Sequence, residues 1–154
     1  MASDDSFRQR LQHVISALES WAKEMQPYAE IEYGPIDGAW HIHAVPHAET
    51  ACPFEIILRP DRKFDLVVGG QTFEDQPLDV LTDIPQMVRA ISNGRVLIRH
   101  WTSSSTGLEY KVEASIDIPG SDEGDFVREN LDAPSNEETE LIAFVEGFAP
   151  YRRG

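Results

Sequence analysis

The fold is indicated most clearly by residues 39–68, which read AWHIHAVPHAETACPFEIILRPDRKFDLVV. Within this stretch, apolar residues take every second position in three short runs, and segments that contain proline separate the runs. Side chains alternate in this way between core and solvent when an antiparallel sheet buries one of its faces. The stretch therefore predicts three consecutive antiparallel strands, with Trp40, Ile56 and Leu66 among the residues that face the core.

Further strands are predicted on either side of this stretch. Residues 28–33 alternate in the same manner, and Gly69-Gly70 is expected to end the meander. Residues 96–100 and 110–116 predict a separate hairpin. A three-residue loop in that hairpin pairs residues as follows: Arg99 with Glu113, His100 with Val112, and Trp101 with Lys111.

Helices are predicted where apolar residues recur at helical spacing. The first covers residues 7–25 and ends before Pro27, and the second runs from Thr82 or Asp83 to Asn93. A third is predicted at the C-terminal end of the chain, where four apolar residues share one side: Leu141, Phe144, Val145 and Phe148.

Together these elements predict an α+β fold in the order N-terminal helix, antiparallel β-meander, helix, β-hairpin and C-terminal helix. We expect one twisted antiparallel sheet with the helices on one face. The 154 residues fit one domain of ordinary size, so we expect residues 1–154 to form a single domain. Residues 119–135 are rich in Asp and Glu and predict an exposed, flexible acidic loop.

Acidic residues dominate the charge of the chain: 27 Asp and Glu against 13 Lys and Arg give a formal net charge of -14. A field of this sign repels phosphate backbones and anionic lipid, so we expect neither nucleic acid nor a membrane as a partner. It favours a basic protein instead. Cys52 is the only cysteine, which excludes an intrachain disulfide. With no sign of a signal peptide in the first residues, we expect a cytoplasmic location.

The predicted outer face of the sheet carries two histidines and two glutamates. His41 and His43 point the same way on one strand, and a four-residue loop over residues 35–38 would place Glu32 opposite His41 and Glu30 opposite His43. Imidazole and carboxylate groups in this arrangement can bind zinc or a similar divalent ion. The alternative is an exposed sheet face on which the histidines form weak ion pairs. We expect no cofactor other than this candidate metal.

The same outer face carries two apolar residues, Ile57 and Val67, on neighbouring strands. A three-residue loop between the strands would bring their side chains close together. Apolar side chains on an outer face indicate that the face is partly covered. We therefore predict that Ile57 and Val67 contact a partner protein or a second subunit.

The predicted order of elements, together with the small size and the high acidity, resembles the class I type III secretion chaperone-like fold. The resemblance covers most of the chain, but only as a layout, so it transfers no functional residue. It implies a homodimer that binds another protein and does not catalyse a reaction.

The leading hypothesis is therefore a non-enzymatic cytoplasmic protein-binding module of chaperone or adaptor type, which forms a homodimer. The second hypothesis is a metal-binding protein or small metalloenzyme that uses His41, His43, Glu30 and Glu32. The third is an immunity or inhibitor protein whose acidic surface masks a basic toxin.

Overall fold

The computed structural model describes residues 2–78, 83–103, 107–118, 125–129 and 141–152. The first part of the chain contains α1 (Ala2–Met25), β1 (Ala29–Ile36), β2 (Ala39–Pro46), β3 (Phe54–Leu58), β4 (Lys63–Val68) and β5 (Gln71–Pro77). The second part contains α2 (Asp83–Ser92), β6 (Val96–Ser103), β7 (Glu109–Ile116), β8 (Asp125–Glu129) and β9 (Leu141–Gly147). All strand pairs are antiparallel. They form sheet 1, in the order β1-β2-β3-β4-β5, and sheet 2, in the order β8-β7-β6-β9.

The α+β class is confirmed, but the prediction of a single sheet is wrong. Sheet 1 contains one strand more than predicted, because β5 continues the meander beyond Gly69-Gly70. Sheet 2 adds β8 and β9 to the predicted hairpin β6–β7. The strand β8 occupies part of the predicted acidic loop over residues 119–135, and the other residues of that loop lie outside the described ranges.

A strand, β9, replaces the predicted C-terminal helix. A short apolar run such as LIAFV satisfies the spacing of a helix and the composition of a strand equally well. In the structure, β9 pairs with β6 over seven positions, from Ser103 opposite Leu141 to Leu97 opposite Gly147. Hydrogen bonding to a distant strand therefore decides the conformation. The layout implied by the resemblance ends on a helix, so the described elements depart from it here.

The hairpin β1–β2 has a two-residue turn and not the predicted four-residue loop. Asp37 and Gly38 both have positive φ, 46° and 81°, as a tight hairpin turn between right-twisted strands requires. Ile36 and Ala39 therefore still pair with each other. The register differs from the predicted one by two residues. Since a shift of two leaves every side chain on its original face, Trp40, which is predicted to face the core, remains buried.

The hairpin β6–β7 has the predicted register. Arg99 is opposite Glu113, and Trp101 is opposite Lys111. The Lys111 ammonium lies 4.8 Å from the centroid of the Trp101 ring, so the two paired residues form a cation–π contact.

The two helices pack against the buried, inner faces of the sheets, and one cluster of buried side chains includes residues from both helices and both sheets. Trp21 of α1 lies at the centre of these contacts. Its ring centroid is 5.6 Å from that of Phe54 in sheet 1, and its indole N–H donates to the Ser92 hydroxyl of α2 at 3.4 Å. Burial of this amphipathic helix explains why the spacing of its apolar residues predicted it.

The two sheets meet where β5 lies beside β8. The Phe126 ring of β8 packs against Phe64 and Phe73 of sheet 1, at centroid distances of 6.1 and 5.9 Å. The Arg128 guanidinium donates to the backbone oxygen of Thr72 at 2.9 Å. Side chains therefore join the sheets at this point. No continuous ladder of backbone hydrogen bonds connects the described strands of sheet 1 with those of sheet 2. Within the described ranges, no helix combines the length and the apolar character needed to cross a membrane.

Candidate functional site

The four residues of the predicted metal cluster lie on sheet 1, but the observed register changes which of them face each other. Glu32 is opposite His43, whereas Glu30 is opposite Val45 and His41 is opposite Gly34. The predicted pairs are therefore wrong. Across the ranges that the structure describes, no group of three or more His, Cys, Asp or Glu side chains is arranged to hold a metal ion. Metal binding by these residues stays a prediction.

His41 and His43 have a carboxylate neighbour that the sequence did not indicate. His43 is directly opposite Glu55 on β3, and the His41 Nδ1 lies 3.7 Å from a Glu55 carboxylate oxygen. The His41 Nδ1 is buried and makes no hydrogen bond to the described residues. The sequence did not indicate Glu55 as a neighbour, because no short turn sets the register between β2 and β3.

Ile57 and Val67 share the outer face of sheet 1, but they are not direct neighbours. Ile57 is opposite Asp65, and Val67 is opposite Glu55, so the two apolar side chains are related diagonally. Both are half-buried. Their role in partner binding stays a prediction, and more exposed apolar side chains lie elsewhere.

Sheet 2 and its hairpin carry five of the seven large apolar side chains that are exposed in the described residues: Leu97, Leu108, Val127, Phe144 and Val145. Phe144 is 60% exposed and Val145 50%. Val145 is opposite Arg99, two residues from Leu97, so the side chains of Val145 and Leu97 are diagonal neighbours on the outer face of sheet 2. Exposed apolar side chains that adjoin one another mark contact surfaces more often than isolated ones do.

The sequence indicated only some of these exposed side chains. Leu97 occupies an outward position of a correctly predicted strand, and its apolar character was the available signal. Val127 and Val145 fell in segments that were predicted as a loop and a helix. Neither could be placed on a sheet face before the strands were known.

The edges of the two sheets differ in how well they resist pairing with another chain. The edge strand β1 contains two glutamates and a proline. The edge strand β5 contains a proline and pairs irregularly with β4, and three of the five residues of β8 are charged. Charges, prolines and irregular pairing are the usual means by which edge strands avoid association. The fourth edge, β9, reads LIAFVEG and has one charged residue, Glu146.

The accessible part of the β9 edge ends near Gly147. Beyond it, the Ala149 N–H donates to the Thr50 oxygen at 2.9 Å, and Ala149 forms a parallel bridge with Ala51. Along Leu141–Gly147 itself, none of the described strands pairs with the side of β9 that faces away from β6. With respect to the described strands, the backbone on this side of β9 is therefore open to an added strand.

Cys52 is not placed as a nucleophile. Its side chain is fully buried, and burial raises the pKa of the thiol from 9.0 to about 12. Near neutral pH the group is therefore a protonated thiol, which is the unreactive form. The backbone oxygen of Cys52 accepts a hydrogen bond from the Tyr151 hydroxyl, whose pKa is also raised by burial.

A cleft of about 550 Å³ lies beside this pair, between the end of α1 and the segment that follows β2. Its polar lining includes His47, Glu49 and Tyr151.

The Arg152 guanidinium lies 5.0 Å from the centroid of the Tyr28 ring and 3.6 Å from the Glu24 carboxylate. These contacts hold the end of the described chain against α1.

The chain matches none of the family models, curated proteins or solved structures with which it was compared. Its function must therefore be inferred from its own surface.

Proposed function

We propose that this chain is a non-enzymatic, cytoplasmic protein-binding module of chaperone or adaptor type. The observation that supports this proposal is the exposed apolar surface of sheet 2, which we define by the diagonal neighbours Leu97 and Val145 on its outer face. This surface includes part of β9, which has no proline and fewer charged residues than the other described sheet edges.

The charge of the molecule favours a protein as the ligand of this surface. A net charge of -14 repels nucleic acid and anionic lipid at long range. An exposed apolar surface on an acidic molecule is suited to binding a protein that contributes apolar side chains of its own. Burying one leucine side chain completely contributes about 1.5–3 kcal/mol, so single substitutions on this surface should have measurable effects.

The proposal can be tested with two matched variants, Leu97→Lys and Val45→Lys. Leu97 and Val45 are each 43% exposed and lie on the outer faces of different sheets. Each substitution introduces the same positive charge. We expect native mass spectrometry of gently purified wild type and Val45→Lys to show a bound protein chain. Leu97→Lys should bind that chain at least about tenfold more weakly, because its apolar contact is lost.

Two results would count against this assignment. A wild-type protein without any bound chain would contradict the protein-binding function itself. If Ile57→Asp loses the bound chain and Leu97→Lys keeps it, the contact surface lies on sheet 1, as the sequence analysis predicted.

A further inference from the structure

We infer that the chain which pairs with β9 is a second copy of this protein, whose own β9 lies antiparallel to the first. The two four-stranded sheets would then form one continuous sheet across a twofold axis. This inference rests on the proposed protein-binding function and identifies the partner and the contacting element.

The composition of β9 makes the strand complementary to itself. In an antiparallel pair centred on Phe144, Ala143 is opposite Val145 of the other copy, and Ile142 is opposite Glu146. No charged residue faces another, and four of the five central positions are apolar. The other edge of sheet 2 lacks this property, because a β8 pair centred on Val127 would place Asp125 opposite Glu129.

The exposure of β9 fits the addition of a strand better than the docking of a partner on one face. Adjacent side chains of a strand point to opposite faces of the sheet, and here Phe144 and Val145 are both at least half exposed. The centroid of the Phe144 ring lies 5.9 Å from that of the neighbouring His100 ring, and most of the Phe144 side chain remains exposed. A strand paired along β9 would contribute neighbouring side chains on both faces at once.

The net charge provides a way to distinguish a second copy from a basic partner. Two copies, each with a net charge of -14, repel each other at long range, and salt screens this repulsion. Association of two copies should therefore strengthen as salt increases. Association with a basic protein should weaken under the same change, because salt screens an attraction.

Sedimentation equilibrium of the full chain tests the inference with Val145→Lys and its control, Val127→Lys. The two valines are 50% and 46% exposed, and they lie at opposite ends of one cross-strand row with Arg99 and Glu113 between them. We expect wild type and Val127→Lys to form dimers of equal affinity. Val145→Lys should dimerise at least about tenfold more weakly, as edge lysines oppose strand pairing. Ala143→Lys, on the same face of β9, provides a second variant if Val145→Lys does not fold.

We also expect the wild-type dimer to tighten between about 0.05 and 0.5 M NaCl, since the Debye length falls over this range. A monomeric wild type, equal weakening by both valine variants, or a dimer that loosens in salt would overturn the inference. If wild type is monomeric but Leu97→Lys still loses a different bound protein, the second copy is excluded while the protein-binding function stands.

Discussion

Gly69 and Gly70 form the turn between β4 and β5, and both have positive φ, 57° and 82°. A Cβ atom at Gly69 would lie 2.5 Å from Ile98 Cδ1 and 2.9 Å from Phe148 Cζ, whereas at Gly70 it would meet nothing within 4 Å. We expect Gly70→Ala to cost about 1–2 kcal/mol through backbone strain, and Gly69→Ala about 1–3 kcal/mol more through the clash. Urea unfolding measures both values. Equal losses would show that sheet 2 does not pack tightly against this turn.

The raised pKa of Cys52 predicts how stability depends on alkaline pH. The unfolded chain loses the thiol proton near its ordinary pKa of 9.0, and the folded chain only near 12. The folded state thus binds more protons in this interval, so its stability should fall as pH rises from about 9 towards 12. The raised pKa of Tyr151 acts in the same direction. Cys52→Ala should reduce the slope of the decline in urea unfolding between about pH 8 and pH 11, and an unchanged slope would contradict the assignment.

At the scale of the elements, the sequence was sufficient wherever one local pattern had one interpretation. Clean alternation predicted β2, β3 and β4, and the match of Arg99 with Glu113 and of Trp101 with Lys111 set the register of β6–β7. The β1–β2 register was not determined, because a shift of two keeps both faces intact. Tyr33 and Trp40, which a four-residue loop would place opposite each other, are diagonal neighbours in the observed register, with ring centroids 6.2 Å apart.

The conformation of β9 and the contact surface next to it could not be obtained from local patterns. Whether LIAFV forms a helix or a strand depends on β6, a partner far away in the sequence. Whether Val145 and Phe144 are exposed depends further on the order of strands, which makes β9 an edge. Ile57 and Val67 were recognised as outward apolar residues, but their half-buried state depends on both neighbouring strands.

At the scale of the whole molecule, the two sheets share one core while their edges are joined by few polar contacts. The buried cluster extends from α1 through sheet 1 to Val112 and Phe126 of sheet 2. Packing of this kind makes unfolding cooperative, so the sheets should lose structure together. At the junction of β5 and β8, however, the Arg128 guanidinium supplies hydrogen bonds to sheet 1 that a backbone ladder would otherwise provide, at 2.9 Å to Thr72 O and 2.7 Å to Gln71 Oε1.

Replacement of Arg128 should therefore weaken the junction between the sheets. Its side chain is 44% exposed, so we expect Arg128→Ala to cost about 1–2 kcal/mol, less than a buried charged hydrogen bond. Arg95→Ala is the control, because its guanidinium lies 3.9 Å from the Asp117 carboxylate and both side chains are more exposed, at 57% and 76%. The control should change the free energy of unfolding by less than about 0.5 kcal/mol.

Hydrogen exchange should then show faster exchange of β5 and β8 amides in Arg128→Ala than in Arg95→Ala, since opening of the junction exposes both edges. Identical exchange in the two variants would mean that apolar packing, including the aromatic contacts of Phe126, holds this junction without Arg128.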